Sequence, residues 1–531
     1  MITADHAGLK TEPETDCTAG AETDAPARES RRWILVALMC TMMLAAMDTT
    51  IVSTAIPQIV GDLGGLRLFS WVFSIYLLAQ TVTIPVYGKL SDLYGRKPVL
   101  IVGTLIFLAG SAASSLSWDM PSLIAFRGLQ GLGAGAIMAT VSTLAGDLYE
   151  VHERGAVQGW LSSVWGIAAI AGPLLGGAFA EYASWRWIFL INLPIGALTL
   201  VLIVVFLHES FERRQPRIDY IGSLLVLAAV GTLIFGLLQG GQTWPWFSLP
   251  MAAVLVVTIA LVCLTIRVER RAAEPVLPGW LWRVRAISGS NLATLGMGMV
   301  MMAPSAYLPV FLQSVQGLGA IGAGFVLSSM SLGWPPASAL SGPLYMRFGF
   351  RDTALGGALL ILLASAGFGW MPEPQPVWMV VVDQVVLGAG FGLLSTPLLV
   401  GVQSAVGWEQ RGVVTGAHMF SRYLGQSLGA AVFGAIFNAS VGNRLAHAPE
   451  ALRDRLPHNI DQVMEVLHTS GTDATANAWL RDSIGVATAD LFTGMAVLSV
   501  LILLALLAVP RRFARTGQGE STQWQQPAPR R

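Results

Sequence analysis

Long apolar segments separated by short polar ones constrain the fold of this chain more than any other feature of its sequence. A helix that crosses a bilayer needs about 20 consecutive, mostly apolar residues. Only 12% of the 531 residues are charged, about half the share of a soluble domain. We therefore predict an all-α polytopic membrane protein with fourteen spans. The predicted spans are residues 33–56, 69–90, 98–117, 120–145, 156–180, 186–207, 218–239, 248–267, 287–312, 320–342, 353–371, 376–400, 412–438 and 484–508.

Positive charge is distributed unevenly between the two ends of these spans. Segments on one side hold most of the basic residues, among them Lys89, Arg96 and Lys97. The short loops on the other side offer only Arg67 and Arg186. Because cytoplasmic loops retain Lys and Arg, we predict a multi-pass protein of the cell membrane, inner or plasma, with both termini in the cytoplasm. The polar segment 439–483 is then external.

Three short motifs recur at a nearly constant offset and indicate an internal repeat. The pairs are "GKLSDLYG" (88–95) with "GPLYMRFG" (342–349), "LGAG" (132–135) with "LGAG" (387–390), and "ERGAVQG" (153–159) with "QRGVVTG" (410–416). Two six-helix halves of the same topology are typical of secondary transporters. The predicted domains are a disordered cytoplasmic tail (1–32), an N-terminal half (33–207), two inserted helices with cytoplasmic loops (208–286), a C-terminal half (287–508) and a second cytoplasmic tail (509–531).

Five ordered motifs resemble those of the major facilitator superfamily, and more closely its fourteen-span drug:proton antiporter branch. They are "MDTTIVSTAIPQIVGDLGG" (47–65), "GKLSDLYGRK" (88–97), "RGLQGLGAG" (127–135), "GWLSSVWGIAAIAGPLLGG" (159–177) and "WRWIFLINLPIG" (185–196). The resemblance implies that fold, with two helices inserted between the halves. Two positions depart from the pattern: Ala168 replaces the usual Gly, and Met346 stands in the second copy of the loop motif where Asp92 stands in the first.

Two of these motifs predict moving parts. In the loop between spans two and three, the gating residues are Gly88, Asp92, Gly95, Arg96 and Lys97. The glycines permit a tight turn and close helix approach. Asp92 can pair with Arg96 and lie at the positive end of a neighbouring helix, which predicts a latch between the halves. The fifth span resembles the antiporter motif, which implies a seal built from Gly159, Gly172, Pro173, Gly176 and Gly177.

Intramembrane charges are the candidate proton-coupling residues. Asp48 lies about 15 residues into span one, near the bilayer centre, where a charged carboxylate costs about 2.5–3.5 kcal/mol. We predict a direct role for Asp48 in proton or cation coupling, the alternative being a packing carboxyl. Arg127 in span four is interpreted as a fixed charge that tunes a nearby acid, or else as a structural arginine.

A second polar cluster is predicted from Asp383 in span twelve with His418 and Arg422 in span thirteen. His418 and Arg422 share a helix face at i, i+4. The alternative is a packing role for Arg422 and a neutral, hydrogen-bonded His418. Further candidate pocket residues, including methionines suited to promiscuous binding, are Gln80, Gln130, Asn291, Met299, Tyr307 and Phe311.

These features together predict a transporter and not an enzyme: a proton-coupled exporter of amphipathic compounds, cationic ones among them, of the kind that includes drugs. No cofactor or metal is expected, since the chain has no Walker phosphate loop and no HExxH or Cys-pair motif. The expected partners are a small-molecule substrate, protons and the lipid bilayer, with no nucleic acid, a monomeric state, and a periplasmic adaptor if the organism is Gram-negative. Two alternatives stay open: an exporter of one self-made metabolite, such as an antibiotic or siderophore, and a non-transporting membrane sensor or scaffold.

Overall fold

Long helices account for most of the described residues. The computed structural model describes residues 24–64, 68–209, 220–240, 244–272, 275–371, 375–449, 452, 456, 474–511 and 513. Within them, fourteen helices have 15 residues or more, and we number these α1 to α14. They are α1 Asp24–Ile51, α2 Phe69–Tyr94, α3 Arg96–Ser115, α4 Met120–Leu148, α5 Arg154–Tyr182, α6 Asn192–Phe206, α7 Tyr220–Gln239, α8 Leu249–Glu269, α9 Arg285–Ser314, α10 Met330–Phe348, α11 Phe350–Phe368, α12 Val377–Ser404, α13 Arg411–Ala446 and α14 Ala474–Leu507.

Twelve helices among the described residues are long and apolar enough to cross a membrane. The other two long helices are α7, whose apolar part is the shorter Ile221–Leu237, and α10, which contains three prolines. The chain is thus a multi-pass membrane protein, while the count of fourteen spans stays a prediction.

Several helices extend beyond the apolar windows that predicted them. The first begins at Asp24, inside the segment predicted as a tail, and α13 continues to Ala446, inside the predicted external loop. Hydropathy marks the part of a helix that lies in lipid, whereas hydrogen bonding and capping decide where the helix ends. Some predictions fall outside the described residues: the tail residues 1–23 and 514–531, Arg67, and about half of the loop 439–483.

The internal repeat is visible in the backbone. Gly95 ends α2 with φ +93°, and Gly349 ends α10 with φ +92°. Both angles lie in the left-handed region that favours glycine, so each copy of the loop motif breaks a helix at its second glycine. Pro121 likewise opens α4, and Pro376 is the N-cap of α12.

The two halves each have their own apolar core, and α7 packs across the boundary between them. One core is formed mainly by α1 to α6 and the other by α9 to α14. Helix α7 contacts α2 of the first half and α13 of the second; its Phe235 ring lies 5.7 Å from that of Trp71. Helix α8 packs against α7 and is largely exposed.

The halves meet along two helix pairs, α2 with α13 and α5 with α10. We call the end of the bundle with the Gly95 and Gly349 turns the motif end, and the end with Asp62 and Arg186 the far end. A Cβ added to Gly88 would lie 2.6 Å from the Gly412 carbonyl oxygen, and one added to Gly155 would lie 2.6 Å from the Gly342 Cα. Nearly three turns farther along α5, a Cβ on Gly166 would lie 3.0 Å from Ser331.

Contacts between α5 and the second half become sparser beyond that point. Ile170 on α5 is 47% exposed, and a Cβ on Gly177 would meet no atom within 4 Å. The halves are therefore closest at the motif end and diverge toward the far end.

Candidate functional site

Three buried polar side chains from two helices form a closed hydrogen-bonded set in the first half. Arg127 on α4 donates from Nη1 to Asp48 on α1 and, over 2.9 Å, to Gln130 Oε1. Gln130 Nε2 donates in turn to Asp48 Oδ1 at 2.8 Å. All three residues are fully buried. We call Asp48, Arg127 and Gln130 the triad.

Aromatic rings enclose the triad. The Tyr76 ring centroid lies 4.3 Å from Arg127 Cζ, and the Phe189 centroid lies 5.9 Å from it. Such faces attract a guanidinium. Two polar atoms, Arg127 Nη2 and the Tyr76 hydroxyl oxygen, are buried with no hydrogen-bond partner in the described chain. Both oxygens of the Asp48 carboxylate therefore have hydrogen-bond partners, whereas one nitrogen of the Arg127 guanidinium has none among the described residues.

The triad lies nearer the far end than the sequence predicts for Asp48. Arg127 is seven residues beyond Met120, the first residue of α4 at the far end, which is about 10 Å along the helix axis. The chain does not leave the bundle after Ile51 but continues as a 3₁₀ turn, Val52–Ala55, and a helix, Ile56–Leu63.

Asp48 is linked through α1 to the helix that forms the boundary between the halves. Two residues beyond Asp48, Thr50 donates to the Ala168 carbonyl on α5 at 2.9 Å. A Cβ added to Gly172 of α5 would lie 2.1 Å from Thr50 Oγ1. Helix α5 therefore packs against α1 at Gly172 and against α10 at Gly155 and Gly159.

The gating loop carries a second buried cluster, which crosses between the halves. Asp92 Oδ1 accepts from the Gly412 N–H at 2.9 Å, and Oδ2 accepts from the Val413 N–H at 2.8 Å. These are the unpaired N–H groups of the first turn of α13, where the helix dipole favours a negative charge. Arg96 Nη2 donates to Asp92 Oδ1 at 2.7 Å. The carboxylate thus binds a helix end in the other half.

Arg96 and Arg411 extend this cluster through one more acid. Arg96 Nε donates to Asp147 Oδ2 at 2.9 Å, and Arg411 Nη1 donates to Asp147 Oδ1 at 2.5 Å. Arg96 also donates to the Trp408 carbonyl at 2.7 Å and lies 3.8 Å from the ring centroid of that tryptophan. Two acids and two arginines therefore join the halves with balanced charge.

A small cavity lies between α5 of the first half and α9, α10, α12 and α13 of the second. Its volume is about 40 Å³; since a water needs about 10–15 Å³ of such space, the cavity fits a few waters. We call it the central cavity. Its lining residues are Gln158, Ser162, Thr294, Met297, Trp334, Ser395, Thr396, Leu399, His418, Met419 and Arg422.

His418 in this cavity is hydrogen bonded on both ring nitrogens. Nδ1 lies 3.3 Å from Asn291 Oδ1, and Nε2 lies 3.3 Å from Thr294 Oγ1. An amide oxygen only accepts, so Nδ1 donates to Asn291, while the Thr294 hydroxyl can donate to Nε2 or accept from it. The ring is thus hydrogen bonded on both sides, and its neutral state stays a prediction.

Asp383 does not join His418 and Arg422. Its carboxylate accepts from Gln384 Nε2 at 3.3 Å, and Oδ1 lies 3.9 Å from the place a Cβ would take on Gly367 of α11. On α12, Asp383 precedes the cavity residue Ser395 by twelve positions, which is about 18 Å. The predicted cluster of Asp383, His418 and Arg422 therefore does not form, because Asp383 lies near the far end of its helix.

Comparisons with known proteins agree with this architecture. The sequence profile of the Major Facilitator Superfamily matches residues 38–430. The chain belongs to the major facilitator superfamily. It is 32% identical over 428 residues to Multidrug resistance protein 3 of Bacillus subtilis, covering 80% of this chain and 83% of that protein. It is also 32% identical to Multidrug transporter protein MdtP of Bacillus subtilis, covering 81% and 80% of the two chains.

A fungal relative and a solved structure extend these likenesses. MFS-type efflux pump LUC4 of Fusarium is 30% identical over 455 residues, covering 84% of this chain and 81% of that protein. The human organic anion transporter MFSD10 has the same fold, with a TM-score of 0.61 at 14% identity, and the match covers 90% of this chain and 99% of that one. This superfamily member is thus an efflux transporter and not an enzyme.

The remaining predicted residues of this transporter have separate locations. Gly176 is buried, Pro173 is partly buried within α5, and Lys97 Nζ donates to the Val204 carbonyl at 3.0 Å. Gln80 donates to the Tyr423 hydroxyl across the boundary at 3.5 Å. The predicted pocket residues Met299, Tyr307 and Phe311 pack in the second-half core and do not line the central cavity.

Sequence reasoning missed several functional candidates. Asp147 and Arg411 complete the cluster at the motif end, and Trp334 faces the central cavity. Glu209 accepts from the N–H groups of Arg96 and Lys97 at 2.9 and 2.8 Å and so caps α3. Asp147 follows "RGLQGLGAG" on the same helix, and a charge two residues beyond the end of the predicted span 120–145 was the one signal that could have identified it.

At the far end of the transporter, two acids outside the spans stay ionised over the physiological range. Hydrogen bonds from Arg186 and then Trp185 lower the pKa of Asp62. Hydrogen bonds from Ser122 lower the pKa of Asp119, the N-cap of α4. Since these pKa values lie below the ordinary one of about 3.9, both contacts persist above that pH and are lost only when the pH falls through the lowered values.

Proposed function

We propose that this transporter is a proton-driven antiporter that exports amphipathic small molecules from the cell, with its motif end and both termini in the cytoplasm. The observation that carries the proposal is a buried acid, Asp48, paired with Arg127 and joined by Thr50 to the helix that lies between the halves. The names of its multidrug relatives support amphipathic substrates.

Asp48 is the member of the triad that can exchange a proton. Arginine stays charged at any physiological pH, and the Gln130 amide does not titrate. When Asp48 is ionised, its charge neutralises Arg127. When Asp48 is protonated, Arg127 is left with an uncompensated charge in a buried site, which is unfavourable. The two protonation states therefore favour different surroundings for Arg127.

That preference can reach the boundary between the halves through α5. Thr50 and Gly172 hold α1 against one side of α5, while Gly155 and Gly159 hold α10 against another. A displacement of α1 that follows protonation of Asp48 would move α5 relative to α10. Protonation and closure of the motif end are then coupled through a continuous series of contacts.

The orientation is supported by the charge at the motif end. Most loop arginines and lysines lie there, and cytoplasmic loops are the ones that retain positive charge. Because the halves are closest at this end and diverge toward the other, we assign the conformation as closed to the cytoplasm. Asp92 on the α13 N-terminus is the latch that holds it closed.

The experiment is transport in proteoliposomes with an imposed proton gradient, using dyes of negative, neutral and positive charge. Asp48→Asn mimics the protonated acid, so we expect it to abolish gradient-driven transport while leaving substrate exchange without a gradient. Asp62→Asn, which changes an exposed acid at the far end, is the matched control and should behave as wild type.

Retention of gradient-driven transport by Asp48→Asn would contradict the coupling role of Asp48. A role for Asp383 stays a prediction, and Asp383→Asn tests it in the same assay. Loss of coupling in Asp383→Asn alone would move the proton site to the second half.

A further inference from the structure

The central cavity carries a positive charge that no acid neutralises. Arg422 forms no hydrogen bond and no ion pair within the described chain, and its Nε is buried without a partner. Its neighbours are aromatic: the Trp334 and Tyr423 ring centroids lie 5.3 and 5.9 Å from Cζ. No lining residue of this cavity is an Asp or Glu. The guanidinium is therefore positioned by ring faces and left open to an anion.

Other arginines in comparable positions are neutralised. Arg127 contacts Asp48, and Arg96 and Arg411 share Asp147. A buried charge without a partner is costly, and Asp383 lies about 18 Å along α12 from the cavity residue Ser395. Arg422 thus stands out from the arginines of the two clusters described above.

Polar side chains also line the cavity around Arg422. They are Gln158 and Ser162 on α5, and Ser395 and Thr396 on α12. Hydroxyl and amide groups can donate to an anionic oxygen. His418 does not compete for this role, because Asn291 and Thr294 already occupy both its nitrogens.

We infer that Arg422 binds an anionic group, most simply a carboxylate, of the exported molecule, with the hydroxyls of Ser162, Ser395 and Thr396 as further donors. A guanidinium recognises a carboxylate with two parallel hydrogen bonds. The cavity fits a group of that size but not a drug-sized molecule, which needs about 300–1,000 Å³. Trp334, Met297, Leu399 and Met419 are apolar walls for the atoms next to the charge.

This inference rests on the proposed export function, but its test measures binding and not transport. It also replaces the expectation of a cationic substrate, since Asp383 does not line the cavity and Arg422 does.

The test is binding without any gradient, by equilibrium dialysis of the purified full chain in nanodiscs. The probes are 2-naphthylacetate, its neutral amide, and 2-(2-naphthyl)ethylamine, which share a ring and differ in charge. We expect the acid to bind about tenfold more tightly than the amide, and the amine to bind less tightly than either. Arg422→Gln should remove this preference by weakening the acid alone, and Arg422→Lys should restore part of it.

Arg444→Gln is the matched control, because Arg444 lies on the same helix but pairs with Asp482 outside the cavity. Equal binding of the three probes, tighter binding of the amine, or no binding of the acid at millimolar concentration overturns the inference. An equal loss for all probes in Arg422→Gln also overturns it, since that outcome indicates a structural role. If Arg422→Gln fails to fold, the double variant Ser395→Ala with Thr396→Ala takes its place, and binding of the same three probes is compared.

The two proposals fail separately. An anion preference in binding, without gradient dependence in transport, contradicts proton coupling alone. Proton-driven transport limited to cations contradicts the anion site alone.

Discussion

At the residue scale, the triad is an ion pair whose partners are both fully buried. Taking two charges out of water costs several kcal/mol per ion, and hydrogen bonds such as those of Gln130 offset part of that cost. Removing one partner of such a pair costs about 3–5 kcal/mol, because the other charge is left unpaired. The pair is therefore sensitive to loss of either member.

Arg127→Gln should lower the free energy of unfolding by about 3–5 kcal/mol, because it leaves the Asp48 carboxylate without its cation. The double variant Asp48→Asn with Arg127→Gln should be more stable than Arg127→Gln alone, since neither charge remains. Unfolding in a detergent titration, monitored by circular dichroism, measures both. A double variant that loses the sum of the two single losses would show that the residues do not interact.

Part of this arrangement could be predicted from the sequence. The depth of Arg127 follows from counting residues along its apolar segment, and a fixed charge near an acid was expected, whereas Asp48 lies nearer the far end than such counting gives. Residue counting does not give the rotation of one helix about its axis relative to another. For this reason the sequence predicted Gln130 only as a pocket residue, and it placed Asp383 with His418 although they lie apart.

At the element scale, the boundary between the halves depends on glycine. The α2–α13 contact brings Gly88, Gly412 and Gly416 together, and a Cβ on Gly412 would lie 2.4 Å from the Gly88 carbonyl oxygen and 2.6 Å from Asp92 Oδ1. Backbone atoms at such distances have no room to adjust without separating the helices. Small residues at helix contacts are the usual means of close approach in membranes.

Gly412→Ala should therefore shift the protein away from the conformation that is closed at the motif end. Spin labels at positions 94 and 346, on exposed residues of the two halves, measure the separation by pulsed electron paramagnetic resonance after the native cysteines are replaced by serine. We expect a new population with a longer distance. Gly356→Ala, where a Cβ meets open space, should leave the distance distribution unchanged.

If Gly412→Ala gave the wild-type distances, the close packing at this site would not control closure.

The existence of the helices was predictable, because apolar windows identify membrane segments. Their ends were not, since α1 begins at Asp24 and the predicted span 320–342 is two helices, Ala320–Ser328 and Met330–Phe348. Local hydrogen bonding and the prolines of α10 decide those boundaries.

At the scale of the whole molecule, closure at the motif end depends on one half binding the backbone of the other. Asp92 accepts from two N–H groups of α13 and from Arg96, and Arg96 and Arg411 meet at Asp147. The second copy of the loop motif has Met346 at the position of the acid, and that side chain is 59% exposed. Both copies of the loop motif therefore keep the glycine turn, but only the first copy has the acid that makes the charged contact.

Asp92→Asn should open the motif end without preventing insertion. An amide offers one acceptor oxygen, and its NH₂ group opposes an N–H of α13, so at least one charge-assisted hydrogen bond is lost. A loss of about 2 kcal/mol corresponds to a population shift of more than tenfold, measured as a longer distance between the same labels. Lys89→Gln, which removes a charge in the same loop, should retain the closed distance.

An unchanged distance in Asp92→Asn would mean that the Arg96, Asp147 and Arg411 contacts are sufficient to hold the halves together.

The binding of Asp92 to backbone N–H groups has a consequence for how the two halves can diverge in evolution. Main-chain groups are common to every amino acid except proline, so the second half needs no particular side chain at position 413 to be recognised. It needs only a residue without a Cβ at position 412. Beyond its first turn, which holds Arg411 and Gly412, the sequence of α13 is thus free to change toward new substrates while closure is preserved.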